Sequence, residues 1–387
     1  MIVNVDLHIH SCFSQAASKH MVIPKIATCA KSKGLDIVGT GDALHPRWLK
    51  MIKENTECID EGIYRYDECN FAITVEIEDM KKVHHLAILP SIETAEDIIE
   101  EISSDNLMKN GRPHLSLNGA EIMDLIHDHD GIIGPAHAFT PWTSLYKTYY
   151  SYKECYGKKP DFLELGLSAD TNMADRIEEL QDIVFLTNSD AHSPWPHRLG
   201  REFNRLKLDD FSYTSLKKSI KKKKIEANYG MDPRLGKYHL TACSRCHKVF
   251  DYETAVKLKM RCICGGIIKK GVDYRISEIA TWEKPHHPPH RPPYIYILPL
   301  TEIISKRYGK GINTKFVWNK WKEFIDNFGN EIKVLLEEPI YELEKVDRKV
   351  ALGIKAFRNN ELIITPGGGG KYGEIQFPGN TLDAYIK

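Results

Sequence analysis

The sequence has no excess of charge of either sign. Its 53 Lys and Arg residues balance its 53 Asp and Glu residues over 387 positions, so the formal net charge is zero. A surface that attracts nucleic acid over its whole extent needs a large positive charge, which this chain lacks. Nucleic acid could therefore be bound only through a local basic patch.

The sequence also has no apolar run of membrane-spanning length and no basic-then-apolar segment at its N-terminus. We therefore expect no membrane partner and a cytoplasmic location. Its nine cysteines show no disulfide framework, because four of them cluster between positions 243 and 264 and the rest are scattered. Such usage is typical of free thiols in a reducing compartment.

Short apolar runs alternate with helical patterns over residues 1–230, which favours βα units around a parallel sheet or barrel. No GxGxxG segment opens a helix, which argues against an open dinucleotide-binding sheet. Barrel geometry is favoured by the number of candidate strands, which span 2–9, 36–41, 71–77, 84–89, 132–135, 162–166 and 183–187.

The chain is longer than one typical domain, and its patterns predict three. We expect an α/β barrel over residues 1–232, a cysteine-containing domain over 233–272 and a helical domain over 273–387. The Lys-rich segment 217–226 is interpreted as a solvated helix face. The four glycines at 367–370 form either a flexible loop or a phosphate or base contact, without Walker spacing.

Metal-ligand side chains recur at the predicted strand ends. His8 and His10 lie two apart on a strand, so both imidazoles face the same side. The ends of other strands carry further candidates, namely Asp42, Glu76, His84, His85, His137, Asp190 and His192. Convergent His and carboxylate groups indicate a site for more than one divalent ion. Clustered ions suit phosphoester hydrolysis because they lower the pKa of bound water and neutralise developing charge.

These motifs resemble those of the polymerase and histidinol phosphatase (PHP) family. The matching segments are Asp6-Leu-His-Ile-His-Ser11, Thr40-Gly-Asp42, the lone Glu76, Pro135-Ala-His137 and Ser189-Asp-Ala-His192. The resemblance implies a distorted (βα)₇ barrel with a trinuclear metal centre. By its pattern, His8, His10, Glu76 and Asp190 would bind one ion. Glu76 would bridge to a second ion held by His137 and one of His84 or His85, and His192 would hold a third with Asp42.

The assignment of some metal ligands stays open. The family's usual Thr-Asp-His motif is here Thr40-Gly-Asp42, so His45 is an alternative to Asp42, and His20 is a further candidate. His84 and His85 cannot be separated, because a shift of one residue turns a side chain to the other face of a strand.

The spacing Cys243-x-x-Cys246 and Cys262-x-Cys264 predicts a Cys₄ zinc ribbon with a structural role. The Lys and Arg residues around it suit either a nucleic-acid contact or a solvated surface. Altogether we expect a divalent metal cluster of Zn, Mn or Mg in the barrel and one structural Zn in the ribbon.

The whole chain is similar to a narrower family, endonuclease Q. The resemblance rests on the strand-end motifs, the ribbon, the segments Pro135-Ala-His-Ala-Phe-Thr-Pro-Trp142 and Leu199-Gly-Arg-Glu-Phe-Asn204, and Thr365-Pro-Gly-Gly-Gly-Gly-Lys-Tyr-Gly373. It implies a DNA repair endonuclease that nicks 5′ to deaminated bases (uracil, hypoxanthine, xanthine) and abasic sites. Glu76, Asp190 and His192 would be catalytic. A sliding clamp as a protein partner stays open.

A pocket that recognises a deaminated base needs a hydrogen-bond donor beside a hydrogen-bond acceptor. The reason is that deamination replaces an amine by a keto oxygen next to a protonated ring nitrogen. Asn188 and Ser168 could supply these groups, although a turn residue and a helix cap would look the same. Candidates for DNA contact or stacking are Trp142, Arg291, Tyr294, Lys371 and Tyr372.

The sequence leaves two alternative functions open. The first is a PHP-family phosphatase that acts on a small phosphate ester. The second is a nucleic-acid-binding module whose barrel is inactive. The attached ribbon and helical domains favour a polymeric substrate over a small ester.

Overall fold

The computed structural model describes residues 1–102 and 105–378, so residues 379–387 of the predicted helical domain lie outside the described part. The strands are β1 (Ile2–Asp6), β2 (Ile37–Gly39), β3 (Glu57–Asp60), β4 (Ile63–Tyr66), β5 (Cys69–Glu78), β6 (His84–Leu89), β7 (Ile132–Pro135), β8 (Leu163–Glu164), β9 (Phe185–Leu186), β10 (Phe203–Lys207), β11 (Ile225–Gly230), β12 (Ala242–Cys243), β13 (Ile268–Lys269), β14 (Tyr294–Tyr296), β15 (Ile363–Thr365) and β16 (Glu374–Gln376).

The α-helices are α1 (Ile23–Lys33), α2 (Pro46–Asn55), α3 (Ile92–Ile102), α4 (Gly119–Asp128), α5 (Leu145–Thr148), α6 (Tyr152–Tyr156), α7 (Thr171–Ala174), α8 (Tyr213–Lys221), α9 (Tyr252–Lys257), α10 (Val272–Ile279), α11 (Leu300–Tyr308), α12 (Lys315–Phe328), α13 (Glu331–Leu336) and α14 (Ile340–Arg358). Helix α14 is interrupted at Asp347, where the backbone is extended. Within the described residues, no helix has the length and apolar character needed to cross a bilayer.

The strands that carry the site lie side by side in a ring. Strands β1, β2 and β5 pair in parallel, and β6 pairs antiparallel with both β5 and β7. The backbone N–H of Asp161 donates to Ile133 O between β7 and β8, and β8 pairs in parallel with β9. A parallel bridge between Ile9, which follows β1, and Ala191, which follows β9, closes the ring. The arrangement agrees with the predicted barrel, and the reversed strand β6 is its distortion.

Aliphatic side chains fill the inside of this ring. Every strand of the ring, or the residue next to it, contributes to one buried cluster that includes Val5, Ile37, Ala72, Leu86, Ile132, Phe162 and Leu186. The opposite faces of the strands pack against helices through residues such as Ile26, Trp48, Ile98 and Ile126. This two-sided burial is why the ring strands are nearly continuous apolar runs that sequence patterning can find.

The predicted ring strands all exist, and the others were missed. Strands β10, β11 and β14 extend the sheet beyond β1, and the β3–β4 hairpin adds to β5. Strand β3 is exposed at every residue, so it carries no apolar alternation. The Lys-rich segment 217–226 contains the end of α8 and the start of β11.

The glycine run joins the C-terminal hairpin β15–β16 to the linker before the ribbon. Leu240 N donates to Gly367 O at 3.0 Å, and Gly370 N donates to Lys237 O at 2.9 Å. A Cβ on Gly369 would lie 2.3 Å from Cys243 O, a distance that no side chain tolerates. The glycines are therefore needed for close backbone packing.

A buried ion pair ties the C-terminal helices to the barrel. Lys33 on α1 and Glu331 on α13 are 2% and 0% exposed, and Lys33 Nζ lies 2.7 Å from Glu331 Oε1. Lys33 Nζ also donates to Pro196 O, in the loop that follows His192. Trp321 Nε1 donates to the second carboxylate oxygen of Glu331 at 2.6 Å. The pair thus connects helices α1 and α13 with the loop next to the strand-end motif.

We expect Lys33→Met to destabilise the protein by about 3–5 kcal/mol, because it leaves the Glu331 carboxylate buried without its cation. The measurement is denaturant unfolding followed by circular dichroism and tryptophan fluorescence. Lys31→Met is the control, since Lys31 pairs with Glu68 at the surface of the same helix and should unfold like the wild type. Equal stability of both variants would contradict the structural role of the pair.

Candidate metal centre

One buried carboxylate lies at the centre of the strand-end cluster. Glu76 on β5 is 1% exposed, and its Oε1 lies 2.8 Å from both His84 Nδ1 and His137 Nε2. Its Oε2 lies 3.3 Å from His10 Nε2, and His8 Nε2 is 3.7 Å from Oε1. The structure therefore brings together histidines from the ends of β1 and β7 and from β6, as the sequence predicts.

His8 and His10 are oriented by carboxylates on their other ring nitrogens. His8 Nδ1 lies 2.8 Å from Glu164 Oε2, and His10 Nδ1 lies 3.0 Å from Asp42 Oδ1. This leaves the Nε2 atoms of both rings buried, without a hydrogen-bond partner and directed at Glu76. A carboxylate behind each imidazole is the usual support for a metal-binding histidine.

Asp190 and His192 complete the cluster on its open side. Asp190 Oδ1 lies 3.2 Å from His10 Nε2 and 3.5 Å from His192 Nε2. The Asp190 side chain is 32% exposed, whereas Glu76 is fully enclosed. Asp190 and His192 line a cavity of about 330 Å³ together with Arg198 and Arg201. A substrate can therefore reach the cluster from this side.

The cluster holds ionised carboxylates in its interior. Burial raises the pKa of Glu76 and of Asp190, but the histidines around both and Arg112 beside Glu76 outweigh burial and hold both pKa values well below the usual range. For His8, burial lowers the pKa, but the Glu164 and Glu76 carboxylates outweigh it and raise the pKa to about 9. A divalent cation that replaces these imidazole protons would meet carboxylates that are already charged.

The donor set fits more than one divalent ion. Three groups have all their donor atoms within 4.8 Å of one another, namely His8, His10 and Glu76; His10, Asp190 and His192; and Glu76, His84 and His137. Glu76 belongs to two of these groups, and its two carboxylate oxygens can bridge neighbouring ions, whereas His10 Nε2 has one lone pair and can bind one ion only. Imidazole and carboxylate ligands suit Zn²⁺ and Mn²⁺, and the unpartnered Nε2 atoms point into the same space.

His84 and His85 are adjacent in strand β6 and face opposite sides of it. His84 shares the inward face with Leu86 and Ile88, and its ring contacts Glu76. His85 points to the other face, where its Nδ1 accepts from or donates to the Tyr156 hydroxyl at 2.6 Å. The prediction of His85 as a ligand of the barrel centre is therefore corrected, because alternate residues of a strand face opposite sides.

Asp42 lies behind His10 and does not join a donor group among the described residues. Its Oδ2 accepts from Ser11 N at 2.6 Å while Oδ1 faces His10 Nδ1. His45 caps α2, where its ring accepts from Trp48 N, and His20 packs near Trp195. This placement favours a positioning role for Asp42 over the ligand role that the resemblance implies.

Sequence reasoning missed two members of the site. Glu164 supports His8 and ends β8, but the predicted strand extended to residue 166 and so placed Glu164 within the strand and not at its end. Arg112 donates to Glu76 Oε2 at 2.8 Å and comes from a loop. No pattern in the sequence around Arg112 indicates this contact.

The predicted lesion-binding residues differ in exposure. Ser168 is half-buried in the turn after β8. Asn188 is fully buried, and its Oδ1 accepts from Leu7 N at 2.9 Å and from Asn204 Nδ2 at 3.1 Å. Asn188 thus ties β9 to β1, a structural role that any test of its lesion contact has to separate.

The predicted DNA contacts divide into a surface set and a buried set. Trp142 and Tyr372 are 51% and 65% exposed, and Lys371 is exposed beside Glu374. Arg291 is corrected, since its guanidinium is 1% exposed and makes a bidentate contact with Asp175. Tyr294 is corrected as well, because its hydroxyl is turned inward to Met231 O at 3.3 Å.

The cysteine module has the geometry of a four-thiolate site. Cys243 Sγ lies 3.5 Å from Cys264 Sγ, and Cys246 Sγ lies 3.7 Å from Cys262 Sγ. Thiolates bound at about 2.3 Å to one tetrahedral ion are about 3.8 Å apart. Backbone N–H groups of Cys246 and Arg245 donate to Cys243 Sγ and lower its pKa to about 6. The module therefore fits the predicted metal ligation.

Comparison with known proteins gives matches over the whole chain. Residues 299–361, which include α11 to α14, match the family model described as the MJ0043 C-terminal domain. The uncharacterized protein MJ0043 of Methanocaldococcus jannaschii is 54% identical over 261 residues, and the match covers 66% of this chain but only 33% of MJ0043. The uncharacterized protein YqxK of Bacillus subtilis is 32% identical, and the match covers 97% of this chain and 99% of YqxK.

Two solved structures superpose on this chain throughout. PfuEndoQ, a lesion-specific endonuclease from Pyrococcus furiosus, is 51% identical with a TM-score of 0.95, covering 100% of this chain and 98% of PfuEndoQ. Endonuclease Q in complex with a 27-mer duplex that has an abasic lesion at the active site is also 51% identical, with a TM-score of 0.94 and coverage of 100% and 99%.

We expect Asp42→Asn to weaken metal binding by the barrel about 10- to 100-fold, because His10 loses the charge that orients it. Metal affinity is measured by competition with a chelating dye. Asp36→Asn is the control, since Asp36 lies at the other end of β2 and accepts from Asn4 N. Wild-type affinity in Asp42→Asn would contradict the positioning role, and complete loss of one ion would favour a ligand role.

Proposed function

Because this chain belongs to the endonuclease Q family, we propose that it is a metal-dependent DNA repair endonuclease that nicks 5′ to deaminated bases and abasic sites. The observation that carries the proposal is the likeness of the complete chain to endonuclease Q bound to an abasic-site duplex, at 51% identity. Uracil, hypoxanthine and xanthine are the deaminated bases that we include.

The residues that would hold the catalytic ions are His8, His10, Glu76, His84, His137, Asp190 and His192. When bound, divalent ions supply Lewis acidity for phosphodiester hydrolysis. We propose Zn, Mn or Mg for this centre. Among the ligands, Glu76, Asp190 and His192 are the proposed catalytic residues, and Asp190 and His192 are the two of these that open to the substrate side.

The chain also supplies its own cations for a phosphate group. Arg198 and Arg201 line the cavity beside Asp190 and His192. The Arg201 guanidinium is held by Ser189 O at 2.9 Å, in the same strand-end motif. Guanidinium groups bind phosphate oxygens in a planar fork, so these residues would position the scissile phosphate next to the carboxylate.

An aromatic and cationic surface begins at Trp142, whose carbonyl accepts from the Thr140 hydroxyl beside His137. Trp142 contacts Tyr238 at 5.4 Å between ring centroids, and the Lys237 ammonium lies over both Tyr238 and Tyr372. Trp142 and Tyr238 also line a cavity of about 400 Å³ with Lys147, Lys269 and Lys270. Stacking rings and backbone-binding cations are the groups that bind unpaired nucleotides. We propose that Trp142, Lys371 and Tyr372 contact DNA on this surface.

Lesion recognition at Ser168 and Asn188 belongs to the same proposal. The turn that carries Ser168 packs on the metal centre, because a Cβ on Gly166 would lie 2.5 Å from His137 Cβ. Asn188 Nδ2 is buried without a hydrogen-bond partner. The ribbon would carry one structural zinc, since its four cysteines would fill all four positions of a tetrahedral ion.

We expect the purified protein with divalent metal to nick a labelled duplex 5′ to a single uracil, inosine or abasic site. Asp190→Ala should abolish the nick while DNA binding survives, because Asp190 contacts the ligand histidines and the open cavity. Asp182→Ala, a surface carboxylate paired with Lys159 and Lys223, should cleave like the wild type. Faster turnover of p-nitrophenyl phosphate than of every DNA substrate would contradict the proposal.

A further inference from the structure

We propose that Asp79, His85 and Cys155 form a zinc site in the outer wall of the barrel, separate from the Glu76 centre and from the ribbon. We call this cluster the outer-wall site. Its members come from the end of β5, from β6 and from α6, and they are 0%, 0% and 5% exposed. The inference does not depend on the proposed function.

The donor atoms of the outer-wall site have the spacing of a coordination shell. Asp79 Oδ2 lies 3.4 Å from His85 Nε2, and one donor atom of each residue lies within 4.8 Å of Cys155 Sγ. Ligands bound at 2.0–2.1 Å to a tetrahedral ion are about 3.3–3.4 Å apart. Asp79 Oδ2 and His85 Nε2 are also buried without a hydrogen-bond partner. Such orphaned polar atoms are costly unless something binds them.

Both polar ligands are held so that one atom of each stays directed into the site. Asp79 Oδ1 accepts hydrogen bonds from Lys81 N and Val83 N at 2.8 Å, which leaves Oδ2 available to bind a metal ion. His85 Nδ1 lies 2.6 Å from the Tyr156 hydroxyl, which leaves Nε2 available to bind the same ion. Support of this kind behind each ligand is characteristic of metal sites.

Helix α4 begins with a glycine that leaves room for the site. A Cβ on Gly119 would lie 2.4 Å from Cys155 Sγ and 3.3 Å from His85 Cε1. Any larger residue there would displace the thiol from its position beside the imidazole. The first residue of α4 is therefore constrained by the space that the ligands occupy.

The donor types select a borderline divalent ion. A thiolate, an imidazole and a carboxylate are all zinc ligands, and zinc accepts three protein ligands with solvent in the fourth position. Binding would release the Cys155 thiol proton to solvent. The ion would fasten β6 to α6 from outside, which fixes the register that places His84 on the inner face.

The first test uses wild-type crystals grown with zinc chloride, with anomalous differences measured above and below the zinc absorption edge. We expect a peak between Asp79 Oδ2, His85 Nε2 and Cys155 Sγ. The four-cysteine ribbon in the same crystal calibrates full occupancy. A clear ribbon peak with none at the outer-wall site would leave a plain Asp79–His85 ion pair and overturn the proposal.

The second test counts metal in folded variants by elemental analysis. Cys155→Ala should lose one zinc per chain relative to the wild type. Cys29→Ala is the matched control, because Cys29 is buried on α1 and belongs to none of the donor groups of the described residues. Unchanged zinc in a Cys155→Ala variant with wild-type circular dichroism would also overturn the proposal.

Discussion

The whole candidate centre depends on the burial of one carboxylate, Glu76. A carboxylate taken out of water is stable only when cations or donors surround it. Glu76 has imidazoles and a guanidinium against both oxygens, and they come from four separate parts of the chain. Only a closed ring of strands brings those parts to one point, so the fold and the site require each other.

Strand β6 extends this dependence through the barrel wall. His84 faces inward to Glu76, while His85 faces outward to Asp79 and Tyr156. Two adjacent histidines thus belong to two different polar clusters, since side chains alternate across a strand. A slip of one residue would move one histidine into the other's place and bring an apolar neighbour, Val83 or Leu86, to the second position, so one cluster would lose its histidine. The register of one strand is therefore stabilised from both faces.

The C-terminal helices and the glycine run are fixed to the rest of the chain by specific contacts. The Lys33–Glu331 pair anchors the C-terminal helices at the loop after His192. The glycine run packs its backbone on the linker before the ribbon, which places Tyr372 near Lys237 and Tyr238. These contacts fix the aromatic and cationic surface of Tyr238, Tyr372 and Lys237 to the body of the protein.

The sequence by itself determined the ring strands, the histidines and carboxylates at their ends, and the cysteine spacing, because apolar runs and ligand spacings are local patterns. It did not reveal the exposed strand β3, the loop residue Arg112 or the burial of Arg291, since these depend on partners distant in sequence. It also left His84 and His85 equivalent and gave Asp42 the place of a ligand. Tertiary structure decided the strand faces and the burial, because only packing fixes which face of a strand is inside, and it places the Asp42 carboxylate behind the His10 imidazole.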